Sequence, residues 1–241
     1  DASLRGLMAR LAYQQSEYFA SWHDEVARSV GLLLEHAPDV PGAPTADEWA
    51  DVLGVPLETY LRVVFSVLVA ALQNPAAVSR SLLSLDKVVP LFEPASLTEA
   101  MAVIDGWLAF GPDEHRAWAR ERLVAGRELW SPSPLQHRPL VSVGDDLIAP
   151  VPERLLGRMT PAGLWFTGLA AFGSRFTDTL GRAFEDYVGG QLSLIAAADV
   201  HPEVLFGSPE QRTTDWFVVF DEAVVLVEVK ASRPVLAVRT G

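Results

Sequence analysis

The sequence predicts an α/β chain, α+β in its overall arrangement. An N-terminal all-helical module (1–130) leads into a linking hairpin and helix (131–170) and then a mixed-sheet core (171–241). Three observations carry this. Apolar residues recur at helical spacing through the first half. The run Trp130-Ser131-Pro132-Ser133-Pro134 breaks that periodicity. Two apolar strand-like segments then close the chain around a polar turn at Asp221-Glu222.

In chain order, Leu4, Leu7, Met8, Leu11, Tyr18, Phe19, Trp22, Val26 and Val30 predict a long helix over 3–35, unbroken or broken once, followed by a Pro/Gly-rich loop at 37–44. Thr45-Ala46-Asp47-Glu48 is a capping box opening a short helix to Leu53. Gly54-Val55-Pro56 ends that helix, and an apolar helix runs from Leu57 to Gln73. This pair has helix-turn-helix spacing, but its second helix carries only Arg62 among apolar residues, whereas a recognition helix exposes polar groups to base edges. Core packing is the reading it supports. Further helices are expected from Asn74-Pro75 to Leu85, over 97–110 and over 112–126, the last with a salt-bridged, solvated face. A hairpin spans 139–150, helices cover 152–169 (interrupted at Thr160-Pro161) and 176–197 (weakened at Gly189-Gly190), and a short strand covers 204–206. The resulting C-terminal order is helix, strand, strand, strand. That leaves a sheet face uncovered, so the chain is expected to be truncated, with further residues beyond Gly241.

Composition narrows the function. The net charge is −12, and residues 1–110 carry 6 basic against 14 acidic side chains. Phosphate affinity comes from counterion release by Lys and Arg, so a general nucleic-acid-coating role is excluded and any such contact must be local. Cysteine is absent, which rules out disulfides and thiolate metal sites and fits a cytoplasmic location. The longest apolar run, Val63 to Leu72, is too short to span a bilayer, so no membrane partner is expected. His23, His36, His115, His137 and His201 are isolated and read as surface or capping residues. Trp165 and Phe166 read as core. No P-loop, nucleophile elbow, zinc-protease or dinucleotide motif occurs.

The chemistry-bearing stretch is 213–230. Residues two apart on a strand share a face, so Glu228 and Lys230 point together, and the turn folds Asp215 back towards Glu228. An edge hairpin with solvated charged ends is one account. Against it, Val224-Val225-Leu226-Val227 reads as a strand buried on both faces, and charges continuing a buried strand need partners or a metal. Glu185 flanks the apolar stripe of the preceding helix and can bring a third carboxylate to the sheet's rim. Oxygen-only ligation suits Mg²⁺ or Mn²⁺, and a cation relieves the repulsion among close carboxylates.

Asp215, twelve intervening residues, then Glu228-Val229-Lys230, after a helix bearing Glu185, resembles the PD-(D/E)XK nuclease superfamily with its restriction-endonuclease-like fold. The likeness covers about residues 176–235, and Thr214 stands where the family name has Pro. The overall order is similar to uncharacterised bacterial nucleases with an N-terminal helical module, some acting in anti-phage defence. The resemblance implies metal-dependent hydrolysis of phosphodiester bonds, DNA being the expected substrate. Asp215, Glu228, the Val229 carbonyl and Glu185 would hold the metal, and Lys230 would complete the catalytic set. Arg175, Arg182, Arg212 and Arg233 are the candidates for backbone phosphate contacts. The helical module is left for regulation, a protein partner or a homodimer. The alternatives are a non-catalytic nucleic-acid or protein-binding module on the same fold, and a scaffold that works through its acidic half.

Overall fold

The computed structural model describes residues 22–74, 77–84, 89–93, 95–123, 133–208 and 211–230. It is α+β, with a helical N-terminal region ahead of a sheet-containing region. The chain divides into two compact units. One contains residues 1–26, 45–166 and 234–241, the other residues 27–44 and 167–233. The linear scheme expected from the sequence does not separate residues 27–44 from the helical module.

In the first unit the elements are α2 (Ala46–Leu53), α3 (Leu57–Gln73), β1 (Val78–Ser79), α4 (Arg80–Leu83), α5 (Leu97–Val103), β2 (Ala109–Phe110), α6 (Pro112–Arg122), α7 (Pro134–His137), β3 (Leu140–Val143), β4 (Asp146–Ile148) and α8 (Glu153–Met159). They follow α1 (Trp22–Val30), and α9 (Pro161–Phe172) comes next. The Thr45–Glu48 capping box forms with both reciprocal bonds, and Gly54 closes α2 in the left-handed region at φ 82°. α3 is the central helix: Tyr60, Val63, Val64 and Val67 are fully enclosed, which bears out its reading as core.

The first half is not all-helical. β1 and β2 complete a four-stranded sheet of order β1-β4-β3-β2, mixed because β2 runs parallel to β3. Two-residue strands leave too short a stretch to show period-two alternation, so helical spacing masks them. Where a helix is expected from Asn74-Pro75, the Asn74 side chain instead bonds the Ala70 carbonyl at 2.8 Å, ending α3. The long N-terminal helix changes winding at Gly31–His36 to a π-helix and then to a 3₁₀ turn at Ala37–Asp39; its part before Trp22 lies outside the described residues, as do Pro75, residues 124–132 and Arg233. The 139–150 hairpin and the break at Thr160-Pro161 form as expected. Phe166 is 66 % exposed rather than core. Nor is His115 a surface group. It is buried, and its Nε2–H donates to the Leu140 carbonyl at 3.0 Å, tying α6 to β3.

In the second unit α10 (Ser174–Leu192) precedes β5 (Asp199–Pro202), β6 (Leu205–Phe206), β7 (Gln211–Arg212), β8 (Trp216–Val219) and β9 (Val224–Val227). β5, β8 and β9 form an antiparallel three-stranded sheet in which β8 lies between the other two, and β6 pairs with β7 separately. β6 is the short strand expected at 204–206, and it pairs with β7; the strand beside β8 is 199–202. Its sequence, Asp-Val-His-Pro, has neither the alternation nor the β-branched enrichment that marks a strand. α10 runs unbroken through Gly189-Gly190. Its buried face is Phe176, Thr179, Leu180, Ala183 and Gly189, a narrower stripe than expected. The Gly31–His36 turn packs on it, with the His36 ring edge-on to Tyr187. β9 is not buried on both faces. Val224, Val225 and Leu226 are 56 %, 48 % and 65 % exposed, because among the described residues β9 is the sheet's edge. No single described helix is long and apolar enough to cross a membrane.

Candidate functional site

The site is built by the β8–β9 hairpin and the middle of α10. The register Trp216↔Val227 places Asp215 and Glu228 at the next position along the two strands. Beyond it the ladder gives way to side-chain bonds. The Val229 N–H donates to Asp215 Oδ2 at 2.5 Å. Thr214 Oγ1 donates to the Val227 carbonyl at 2.7 Å and lies 3.4 Å from Glu228 Oε2. Lys230 Nζ pairs with Glu228 Oε1. Glu228 and Lys230 therefore share a face, as the two-residue spacing predicts, while the Val229 side chain is buried on the other.

Glu185 reaches this end of the sheet through Trp216. The indole Nε1–H donates to the Glu185 carbonyl at 3.1 Å, pinning the first residue of β8 to α10. The close approach depends on Gly189, because a Cβ there would fall inside the Trp216 ring. The glycine that reads as a helix-weakening residue is a seat for an aromatic ring.

Electrostatics show which groups are close. Burial, and then the charges of Asp215, Glu203 and Asp186, push the Glu185 carboxyl above the usual carboxylate range, while Lys230 partly opposes them. Glu228 is lowered by its hydrogen bond and charge interaction with Lys230, and Lys230 is raised by the same pair. A half-buried carboxyl facing other carboxylates, beside an ammonium, is thus the local arrangement. Like-charge crowding of this kind suits a hard divalent cation, with Glu185, Asp215 and Glu228 as oxygen donors. As they stand, Asp215 and Glu228 have protein partners, and no set of three metal-ligating side chains at ligating distances occurs among the described residues.

The arginines divide. Arg212 is paired with Glu203 at 3.1 Å, Arg175 lies 5.5 Å over the Phe172 ring, and Arg182 is exposed on α10. Sequence patterning gives no prominence to Thr214, Trp216, Gly189 or Glu203. A strand-opening Trp fourteen residues before Lys230, after a Thr pair, is the one available signal. A cleft of about 370 Å³ lined by Asp105, Ala109, Phe110, Gly111, Glu114 and Ser142 belongs to the first unit and holds none of these groups. No family model, curated protein or solved structure matches the chain.

Proposed function

We propose that the chain is a Mg²⁺- or Mn²⁺-dependent nuclease that hydrolyses phosphodiester bonds, with DNA as substrate and a place in bacterial defence against phage as the wider setting. The observation that carries the reading is the meeting of Glu185, Asp215, Glu228 and Lys230 at one end of the α10–hairpin junction, with the Glu185 carboxyl raised by burial and by Asp215. That convergence supports the likeness to the PD-(D/E)XK superfamily.

In this reading Glu185, Asp215 and Glu228 hold the cation, joined by the Val229 carbonyl. The bound cation would polarise the phosphate and lower the pKa of a coordinated water. Val229 N–H fixes the orientation of Asp215, and Trp216 fixes the height of Glu185 on α10. Lys230 exchanges Glu228 for the scissile phosphate, orients the attacking water and offsets the growing negative charge. Cation binding and protons compete for Glu185, so activity should fall as pH drops through its raised range.

A second reading rests on a specific observation. Lys230–Glu228 and Val229–Asp215 already satisfy one another, as a hairpin-closing ion cluster would. Variants separate the two. Asp215→Asn keeps an acceptor for the Val229 N–H and removes the charge; Lys230→Met removes the ammonium. With Mg²⁺ or Mn²⁺ and supercoiled, linear and single-stranded DNA, the wild type should cleave at least one form. Both variants should lose about a hundredfold or more of the rate while remaining folded. Equal metal-dependent cleavage by wild type and both variants would remove the assignment.

A further inference from the structure

The first unit holds a second charged centre that the carboxylate cluster does not involve. Arg158 on α8 is only 6 % exposed, and its Nε lies out of solvent with no partner among the described residues. Its one side-chain hydrogen bond among the described residues is a long one, Nη1 to the Gly163 carbonyl at 3.4 Å. Arg138, just after α7, likewise has Nε and Nη1 buried without a partner among the described residues. Its guanidinium lies over the Phe110 ring at 4.9 Å and the Trp107 ring at 5.9 Å.

Stacking uses the faces of a guanidinium. The N–H groups point outward in its plane and remain unmet. Arginine keeps its proton under all ordinary conditions, so the centre cannot neutralise itself as a buried Lys or His does. The two arginines also press on each other: burial first, and then Arg158, lower Arg138 from its usual value. His137 is forced down to about 4 by burial and by Arg158, Arg138, Arg122 and His115. No carboxylate among the described residues meets the buried N–H groups of Arg138 or the Nε of Arg158. Glu114, the acid that acts on Arg138, is engaged by the Gly111 N–H at 2.7 Å. Arg122 is already paired with Glu121. Leaving buried guanidinium donors unmet is costly, and a bound anion removes that cost.

We propose that Arg138 and Arg158 form a binding site for a phosphate monoester, the terminal phosphate of a small ligand, seated beside Phe110 and His137. A dianion matches two guanidinium charges, whereas a carboxylate or a backbone phosphodiester brings one. The depth of Arg158 favours a terminal group over a continuous backbone flanked by sugars on both sides. Free phosphate and a mononucleotide share this chemistry, and separate titrations distinguish them.

The test is calorimetric titration of the full chain with inorganic phosphate, AMP, adenosine and acetate. The His137 ring resonance, assigned through His137→Gln, is followed in parallel. Phosphate or AMP should bind, and adenosine and acetate should not. The His137 titration midpoint should rise on binding, because the dianion offsets Arg158 and Arg138. Arg138→Gln, which replaces the less deeply buried of the pair, should weaken phosphate binding about tenfold or more. Tighter binding of AMP than of phosphate identifies a nucleotide source; equal binding identifies phosphate itself. No heat and an unmoved His137 in the wild type would overturn the site, as would acetate binding equal to phosphate or undiminished binding by Arg138→Gln.

Discussion

The two sheets of the molecule put their apolar residues to different uses. In the four-stranded sheet Val78, Leu140 and Leu147 are enclosed almost completely. In the three-stranded sheet Val218 is the strand residue that is fully buried, while Val224, Val225 and Leu226 face outward and both hairpin arms end in charges. The first sheet stabilises; the second holds repelling carboxylates in a fixed arrangement, which lowers stability and fits a site. If that contrast is correct, substitutions in the two sheets should act on different observables.

The largest expected effect belongs to the first sheet. Leu140→Ala should cost about 2–5 kcal/mol, measured by denaturant unfolding, because it empties a fully enclosed position. It should leave the affinity of folded protein for a divalent cation unchanged. Next comes Gly189→Ala. Ordinarily Gly→Ala inside a helix stabilises. Here the methyl would collide with Trp216, so a loss of about 1–3 kcal/mol is expected, together with weaker cation binding as Glu185 shifts. A gain in stability would mean that Trp216 does not sit there.

The smallest effect should have the opposite sign. Because the Glu185 carboxyl is raised in the folded state, the folded protein prefers it protonated. The stability this brings is present at low pH and is lost as pH rises through the raised value. Glu185→Gln avoids that loss. In metal-free buffer it should raise Tm by about 1–3 °C near neutral pH and flatten the pH profile, the size being limited by solvent screening. A lower Tm would show Glu185 to be a structural partner instead.

Much of this is legible in the sequence, unevenly so. Capping chemistry is local, and Thr45–Glu48 can be read directly because both partners lie within one turn. The hairpin and the shared face of Glu228 and Lys230 follow from the strand period alone. β5 escapes because pairing with β8, not its own residues, makes Asp199–Pro202 a strand. β9 misleads because four successive apolar residues do not reveal whether anything lies against them. The role of Gly189 depends on a ring twenty-seven positions away, and no local signal carries that. The arginine centre shows the same limit: Arg138 and Arg158 are far apart in sequence, and only folding reveals their buried, unmet N–H groups.

Calorimetric titration with Mn²⁺ tests the central claim most directly, comparing the wild type with Asp215→Asn and Glu185→Gln. A cation site at the α10–hairpin junction should bind in the wild type. It should weaken about tenfold or more in each variant. A wild type that takes up no cation, or variants that bind as the wild type does, would contradict it and leave the junction as a hairpin-closing ion cluster.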